Sequence, residues 1–263
     1  MAQIKVVVHG AAGRVGQEVV KAVCQEPEMQ LVGAVDLKVS ADFLPLPDGS
    51  GKVPFSVDFK SILNTCKPDV VVDFTIAKAS MPAVRTAAEK GVNMVIGTTG
   101  FSTDELAEME RLAVSKKIGI VAAPNFALGA VLMIHLAKIA GKFIDHAEII
   151  ELHHDRKLDA PSGTSLLTAR AMAEARGKPF LPPAVGEPTS SRGQSVEGIE
   201  IHSIRLPGLM AHQEVIFGTP GQTLSIRHDT INRECYMPGV MLAVKAVVKQ
   251  KGFIYGLDKL LGL

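Results

Sequence analysis

Tryptophan is absent from this 263-residue chain, and tyrosine occurs only at Tyr236 and Tyr255. With no aromatic residues interleaved among basic ones, a stacking surface for nucleic acid has no basis. A charge excess of one sign is missing too: 28 Lys and Arg against 27 Asp and Glu leave +1. Neither nucleic acid nor an acidic membrane surface is therefore expected as a partner. Cysteine is scarce, and Cys24, Cys66 and Cys235 are odd in number and far apart. That spacing excludes a disulfide framework and a structural zinc site, and no metal is expected. The longest stretch without formal charge, Ile118–Ala137, is interrupted by Pro124-Asn125 and Gly129, so it does not read as a membrane span. The opening MAQIKVVVHGAAG enters a strand pattern directly and does not resemble a signal peptide. A cytoplasmic, reducing compartment is expected. No G-x-S-x-G is present, so serine-hydrolase chemistry has no support.

What is present is a 47% hydrophobic chain long enough for one large domain or two modest ones. Short apolar runs at 4–8, 30–36, 70–73, 94–96 and 118–121 alternate with helical patterns at 14–25, 79–90 and 103–116. Ser102 and Glu105 open the last of these as a capping box. Strands apolar on both faces, separated by helices, predict a Rossmann-like doubly wound parallel sheet, an α/β fold. Ser40–Phe59, rich in Pro and Gly, reads as an irregular excursion. From residue 127 the pattern changes. Helices at 128–141 and 164–176, a strand at 146–153 and strands at 199–206, 212–218 and 222–228 predict a second, α+β domain with an open mixed sheet. The stretch 177–198 reads as an exposed loop, and 237–250 as a helix that returns to the first domain. The expected division is 1–126 with 233–263 for dinucleotide binding, and 127–232 for substrate binding and oligomerisation.

Gly10-Ala11-Ala12-Gly13-Arg14-Val15-Gly16 lies between the first strand and the first helix. A dinucleotide pyrophosphate binds at such a turn, because glycines admit the backbone and the helix start offers free N–H groups. The spacing is G-x-x-G-x-x-G, with Ala12 in the usual place of the middle glycine. Asp36, twenty residues after Gly16, ends the second strand, where a carboxylate accepts from ribose hydroxyls. Its charge favours NADH, while Arg14 and Lys38 offset it towards NADPH, so either or both cofactors remain open. The loops Gly97-Thr98-Thr99-Gly100 and Ala123-Pro124-Asn125-Phe126 follow later strands, and ligands bind at that edge of a parallel sheet.

Residues 151–164, Glu-Leu-His-His-Asp-Arg-Lys-Leu-Asp-Ala-Pro-Ser-Gly-Thr, form the most unusual stretch. A charge cluster at a strand end is commonly a solvated turn. Here Ser162-Gly163-Thr164 then opens a helix, so cations and free helix N–H groups converge, as an anionic substrate requires. A histidine in this place can donate a proton near neutral pH, and Lys157 can neutralise developing negative charge. Adjacent His153 and His154 point to opposite faces of an extended segment, which disfavours a metal site.

This string is similar to E-x-H-H-x-x-K-x-D-A-P-S-G-T, the signature of the dihydrodipicolinate reductase family, and the full chain resembles that family in length and layout. The resemblance implies an NADH- or NADPH-dependent reductase of the diaminopimelate route to lysine. It implies that His153 is the general acid–base and Lys157 the second proton donor. It places His154, Gly163 and Thr164 on the carboxylates of a small cyclic dicarboxylate substrate. Residues 10–15, Asp36, 97–99 and 123–126 would line the cofactor, with Arg233 near the nicotinamide side. It further implies a homotetramer built through the sheet of the second domain. Rivals stand beside it: a reductase or dehydrogenase of another small acid on the same fold, a lyase-type enzyme that first eliminates water, and an NAD(H)-binding sensor without turnover.

Overall fold

The computed structural model describes residues 2–39, 41–182 and 190–263. The chain forms two compact units, Met1–Leu128 with Arg233–Leu263, and Gly129–Asn232.

In the first unit, strands β1 (Ile4–His9), β2 (Met29–Val35), β3 (Phe43–Pro45), β4 (Lys52–Ser56), β5 (Val70–Asp73), β6 (Asn93–Ile96) and β7 (Gly119–Ala122) join the last strand of the chain, Gly252–Tyr255. Their order is β3-β4-β2-β1-β5-β6-β7 and then that last strand. All pairs are parallel except β3 with β4. Val6–Val8 and Val70–Val72 are completely buried, because helices cover both faces. On one face lie α2 (Phe59–Cys66), α3 (Ala77–Lys90) and α4 (Thr103–Lys116), which bury Ile62, Val84 and Met109. On the other, α1 (Gly16–Gln25) packs beside the helix Met237–Val247. The Rossmann-like sheet expected from the alternating pattern is therefore present.

Three expectations for this unit need correction. Residues 40–59 are not irregular throughout: β3 and β4 form an antiparallel pair, and β4 adds to β2 through Ala34↔Phe55 and Val35↔Ser56. The cause is period-2 burial, with Val53 and Phe55 inward. Helix α2, unforeseen, follows directly, capped where Asp58 Oδ1 accepts from Ser61 N at 3.0 Å. The helix expected over 237–250 ends at Val247, and after 250 come a strand and a short helix, Leu257–Leu261. Helix α1 starts at Gly16 rather than 14, since residues 11–15 form the tight turn that precedes it. The capping box at Ser102 and Glu105 forms as read.

The second unit holds α5 (Leu128–Ala140), β8 (His146–His153), α6 (Gly163–Arg176), β9 (Gln194–Val196), β10 (Ile199–Arg205), β11 (Ala211–Thr219) and β12 (Gln222–Thr230). The sheet order is β12-β11-β8-β10-β9, and only β8 and β10 run parallel, so the sheet is mixed as expected. Helices α5 and α6 cover one face, where Ala137, Ala169 and Met172 meet Ile149, Ile201, Val215 and Phe217. The loop expected over 177–198 is in part a hairpin. Strand β9 pairs with β10 around Glu197 (φ 55°) and Gly198 (φ 79°), two left-handed residues of the kind a two-residue hairpin turn demands. Residues 183–189 of that stretch lie outside the described residues.

Candidate active site

The turn between β1 and α1 is closed by glycine sterics. Gly10 has φ +87°, and a Cβ on Gly16 would stand 2.0 Å from the Gly10 carbonyl oxygen. The Gly13 N–H donates to that same oxygen at 3.0 Å. Helix α1 thus starts against the bare backbone of residues 10–13, a cradle that side chains would fill. Asp36 is brought to this turn. Its Oδ2 accepts from Ala12 N and its Oδ1 from Lys38 N, both at 2.9 Å. Leu37 and Lys38 beyond it are exposed, as is Arg14. An anchored carboxylate beside a glycine turn fits a dinucleotide.

The loop after β6 makes internal contacts of its own. Thr98 is buried, its hydroxyl donating to Asp73 Oδ1 at 2.6 Å and accepting from Thr75 N at 2.8 Å. Gly97 lies under Phe74, whose ring a Cβ would meet at 2.1 Å. Thr99 is exposed. After β7, Ala123 and Phe126 are buried, Pro124 is exposed, and Asn125 Oδ1 accepts from Ala127 N at 2.9 Å. Sequence reasoning missed the pair beneath these loops. His9 Nδ1 lies 2.9 Å from Asp73 Oδ2, with Asp73 fully buried. Burial alone would raise the Asp73 carboxyl, but bonds from His9, Thr98 and Thr75 outweigh it and hold it below the usual carboxylate range. The signal was an acid ending one strand beside a histidine ending its neighbour, paired as His9↔Asp73.

In the second unit, β8 ends at His153, the expected general acid–base, and Lys157 lies in the loop beyond it. Glu151 and His153 share one face by the period of the strand. Glu151 Oε2 is hydrogen-bonded to His153 Nδ1, and its side chain is fully buried. Arg205, at the end of β10, grips the same carboxylate with two nitrogens, Nη1 to Oε2 at 2.9 Å and Nη2 to Oε1 at 2.7 Å. Ser162 N adds a bond to Oε1 at 3.3 Å. Burial would raise the Glu151 carboxyl; the bonds from His153, Arg205 and Ser203 win and lower it to about 2. Neither Glu151 nor Arg205 was assigned a role from sequence.

Lys157 is half-buried, and its Nζ lies 2.8 Å from both Asp159 carboxylate oxygens. That bond, set against slight burial, holds the Asp159 carboxyl below its ordinary range. His154 is half-buried, and its Nδ1 is buried with no hydrogen-bond partner. Ser162 caps α6, accepting from Ser165 N at 3.2 Å, so exposed Gly163 and half-buried Thr164 form the first turn of the helix. Below it, Ser165 donates to Gln213 Oε1 and Gln213 donates to Thr168 Oγ1, both at 2.8 Å. This buried polar chain fixes the helix start against β11. Arg233 begins a short turn, Arg233–Tyr236, of the first unit. Among the described residues, no group of three or more His, Cys, Asp or Glu is placed to hold a metal.

Comparison with known proteins places this geometry. Residues 4–126 match the family described as dihydrodipicolinate reductase, N-terminus, and residues 129–261 match dihydrodipicolinate reductase, C-terminus. The chain belongs to the dihydrodipicolinate reductase family. It is 61% identical over 263 residues, all of both chains, to a 4-hydroxy-tetrahydrodipicolinate reductase of Dehalococcoides mccartyi. It is 47% identical over 267 residues to the one of Moorella thermoacetica, covering 99% of each chain. Among solved structures it resembles a dipicolinate-bound dihydrodipicolinate reductase from Paenisporosarcina sp. TG-14, with TM-score 0.86 and 41% identity. That match covers 98% of this chain and 99% of the other. Family membership removes the main rivals. These relatives are named as reductases of 4-hydroxy-tetrahydrodipicolinate or of dihydrodipicolinate, not as sensors.

Proposed function

We propose that this chain reduces 4-hydroxy-tetrahydrodipicolinate to tetrahydrodipicolinate, in diaminopimelate and lysine biosynthesis, and that His153 and Lys157 supply the proton chemistry. NADH or NADPH supplies a hydride when bound. The overall change takes one hydride and one proton and releases water, so the protein must deliver a proton and steady the negative charge that the hydride brings. His153 carries this reading. Its Nδ1 is committed to Glu151, which leaves Nε2 as the atom that gives the proton. Lys157, drawn to Asp159, holds a second ammonium near the same loop and stabilises developing charge. The substrate carboxylates are read as binding at the start of α6, through the Gly163 N–H, Thr164 and the unpaired ring nitrogen of His154.

The first unit is read as the dinucleotide domain, with the backbone of residues 10–15 holding the pyrophosphate and Asp36 the ribose. Residues 97–99 and 123–126 are read as bordering the cofactor, with Thr98 bonded inward to Asp73 and Thr75 at the end of β5. Arg14 and Lys38 stand ready for a 2′-phosphate that Asp36 repels, so both cofactors are accepted. The second unit is read as the substrate domain and the base of a homotetramer. Its sheet is covered by helices on one face, while Ile150, Leu152, Ile204 and Ile216 stand half-buried or exposed on the other. Among the described residues, no helix is long and apolar enough to cross a membrane. We place the enzyme in the cytoplasm, where its substrate is made.

The test is loss of nicotinamide absorbance with purified protein and substrate made in situ from pyruvate and aspartate semialdehyde by the preceding synthase. Oxidation that requires the substrate is expected with both NADH and NADPH. His153→Ala and Lys157→Ala are each expected to lower kcat by about a hundredfold or more with the fold intact. Normal turnover in both variants would remove these two residues from the mechanism.

A further inference from the structure

We propose that Glu151 and Arg205 are positioning residues, which hold His153 in one tautomer and fasten the loop carrying Lys157 to the same strand pair. The inference rests on His153 being the proton donor. The geometry is closed on every side. Glu151 is fully buried, hydrogen-bonded to His153 Nδ1 through Oε2 and gripped by both terminal nitrogens of Arg205. A carboxylate on Nδ1 leaves Nε2 as the exchanging atom. Alone, a buried carboxylate would also hold a proton on the imidazole and oppose its release. The Arg205 guanidinium balances that charge. Arg205 Nη2 donates further to the Asp159 carbonyl at 2.7 Å, and Asp159 in turn holds Lys157. One arginine therefore links the donor histidine to the loop of the second cation.

Other titratable groups leave this arrangement undisturbed. On β11, the residue opposite His153 is Ala211, and the neighbour on the Glu151 face is Gln213. His212, paired with Asp229, is in register with Leu152 and so lies on the other face. On the loop, Lys157 and Asp159 are paired with each other.

The experiment compares Arg205→Met, Arg205→Lys, Glu151→Gln and the double variant Glu151→Gln with Arg205→Met. Steady-state kinetics are run from pH 5.5 to 9.5, with NADH binding followed by fluorescence. Arg205→Met is expected to lower kcat about a hundredfold, with NADH affinity unchanged. The donor limb of its kcat/KM profile should move about one pH unit higher. Arg205→Lys, which keeps the charge without the fork, should restore the limb and recover kcat in part. The double variant leaves no lone charge and keeps an acceptor for Nδ1. It should return the limb to its native place and lose less activity than the product of the two single losses. It also serves if Arg205→Met fails to fold. A folded Arg205→Met with native kcat and profile overturns the inference while the proposed activity stands. So does a double variant whose losses simply multiply. If His153→Ala keeps full kcat, the donor assignment falls and this inference falls with it.

Discussion

Glu151 shows how much one side chain can carry. Its ordinary carboxyl value is 4.5, and in the folded chain it sits at about 2, against the upward push of burial. A group lowered on folding stabilises the protein above its unfolded value, and that contribution fades as pH falls through the folded value. The window here runs from about 4.5 down to about 2, and the contribution is on the order of 3 kcal/mol. Denaturant midpoints of the native chain and of Glu151→Gln should therefore differ most near pH 6, close steadily below about 4.5 and converge only near pH 2. A gap that stays constant over that range would show that the carboxylate charge is not what Arg205 and His153 stabilise. His153 and Lys157 were legible because they sit in one contiguous string. Arg205 was not, since it lies 54 residues from Glu151 and meets it only through the parallel register Arg205↔His153. Thr98 was legible as a loop residue, but its inward hydroxyl depends on Asp73, whose partners come from three separate strand ends.

Elements were legible where local chemistry agreed with the fold. Valine runs announced β1 and β5, and Ser102 with Glu105 announced α4. They were hidden where local signals conflicted. Pro45, Pro47, Gly49, Gly51 and Pro54 masked β3 and β4, yet β4 touches β2 at only two residue pairs, both beyond Pro54, so the proline costs no ladder bond to β2 there. The strand Gly252–Tyr255 is four residues long and exists because β7 offers it an edge. The first turn of α1 is the proposed cradle for the dinucleotide, and it can be tested as one element. Gly16→Ala puts a methyl 2.0 Å from the Gly10 carbonyl oxygen. Backbone must move, at a cost of about 1–3 kcal/mol, and the cradle for the pyrophosphate is lost with it. A lowered urea midpoint together with loss of NADH fluorescence binding is expected. A variant that binds NADH with native affinity would mean that the dinucleotide lies elsewhere.

At the scale of the whole molecule, the net charge of +1 provides no general field to draw chains together or keep them apart. Any association must come from local surface. The second unit offers one. One face of its sheet is sealed by α5 and α6, while the other carries Ile150, Ile204 and Ile216 between the pairs Glu148–His202 and Glu214–Arg227. A sheet face of alternating apolar and paired charged residues suits a second copy of itself, since isologous contacts can exchange the pairs and bury the isoleucines together. Ile216 on β11 stands opposite Glu148 on β8 and Ser225 on β12. Ile216→Glu would set a new charge directly across from Glu148, and like charges opposite one another destabilise a sheet pair only modestly, whereas a charge trapped at an interface costs far more. The variant should remain folded by circular dichroism, and the proposed tetramer should fall to fewer chains in light scattering. A protein that stays tetrameric would place the interface on another face, and one already monomeric in its native form would remove the oligomer from the proposal while leaving the chemistry at His153 untouched.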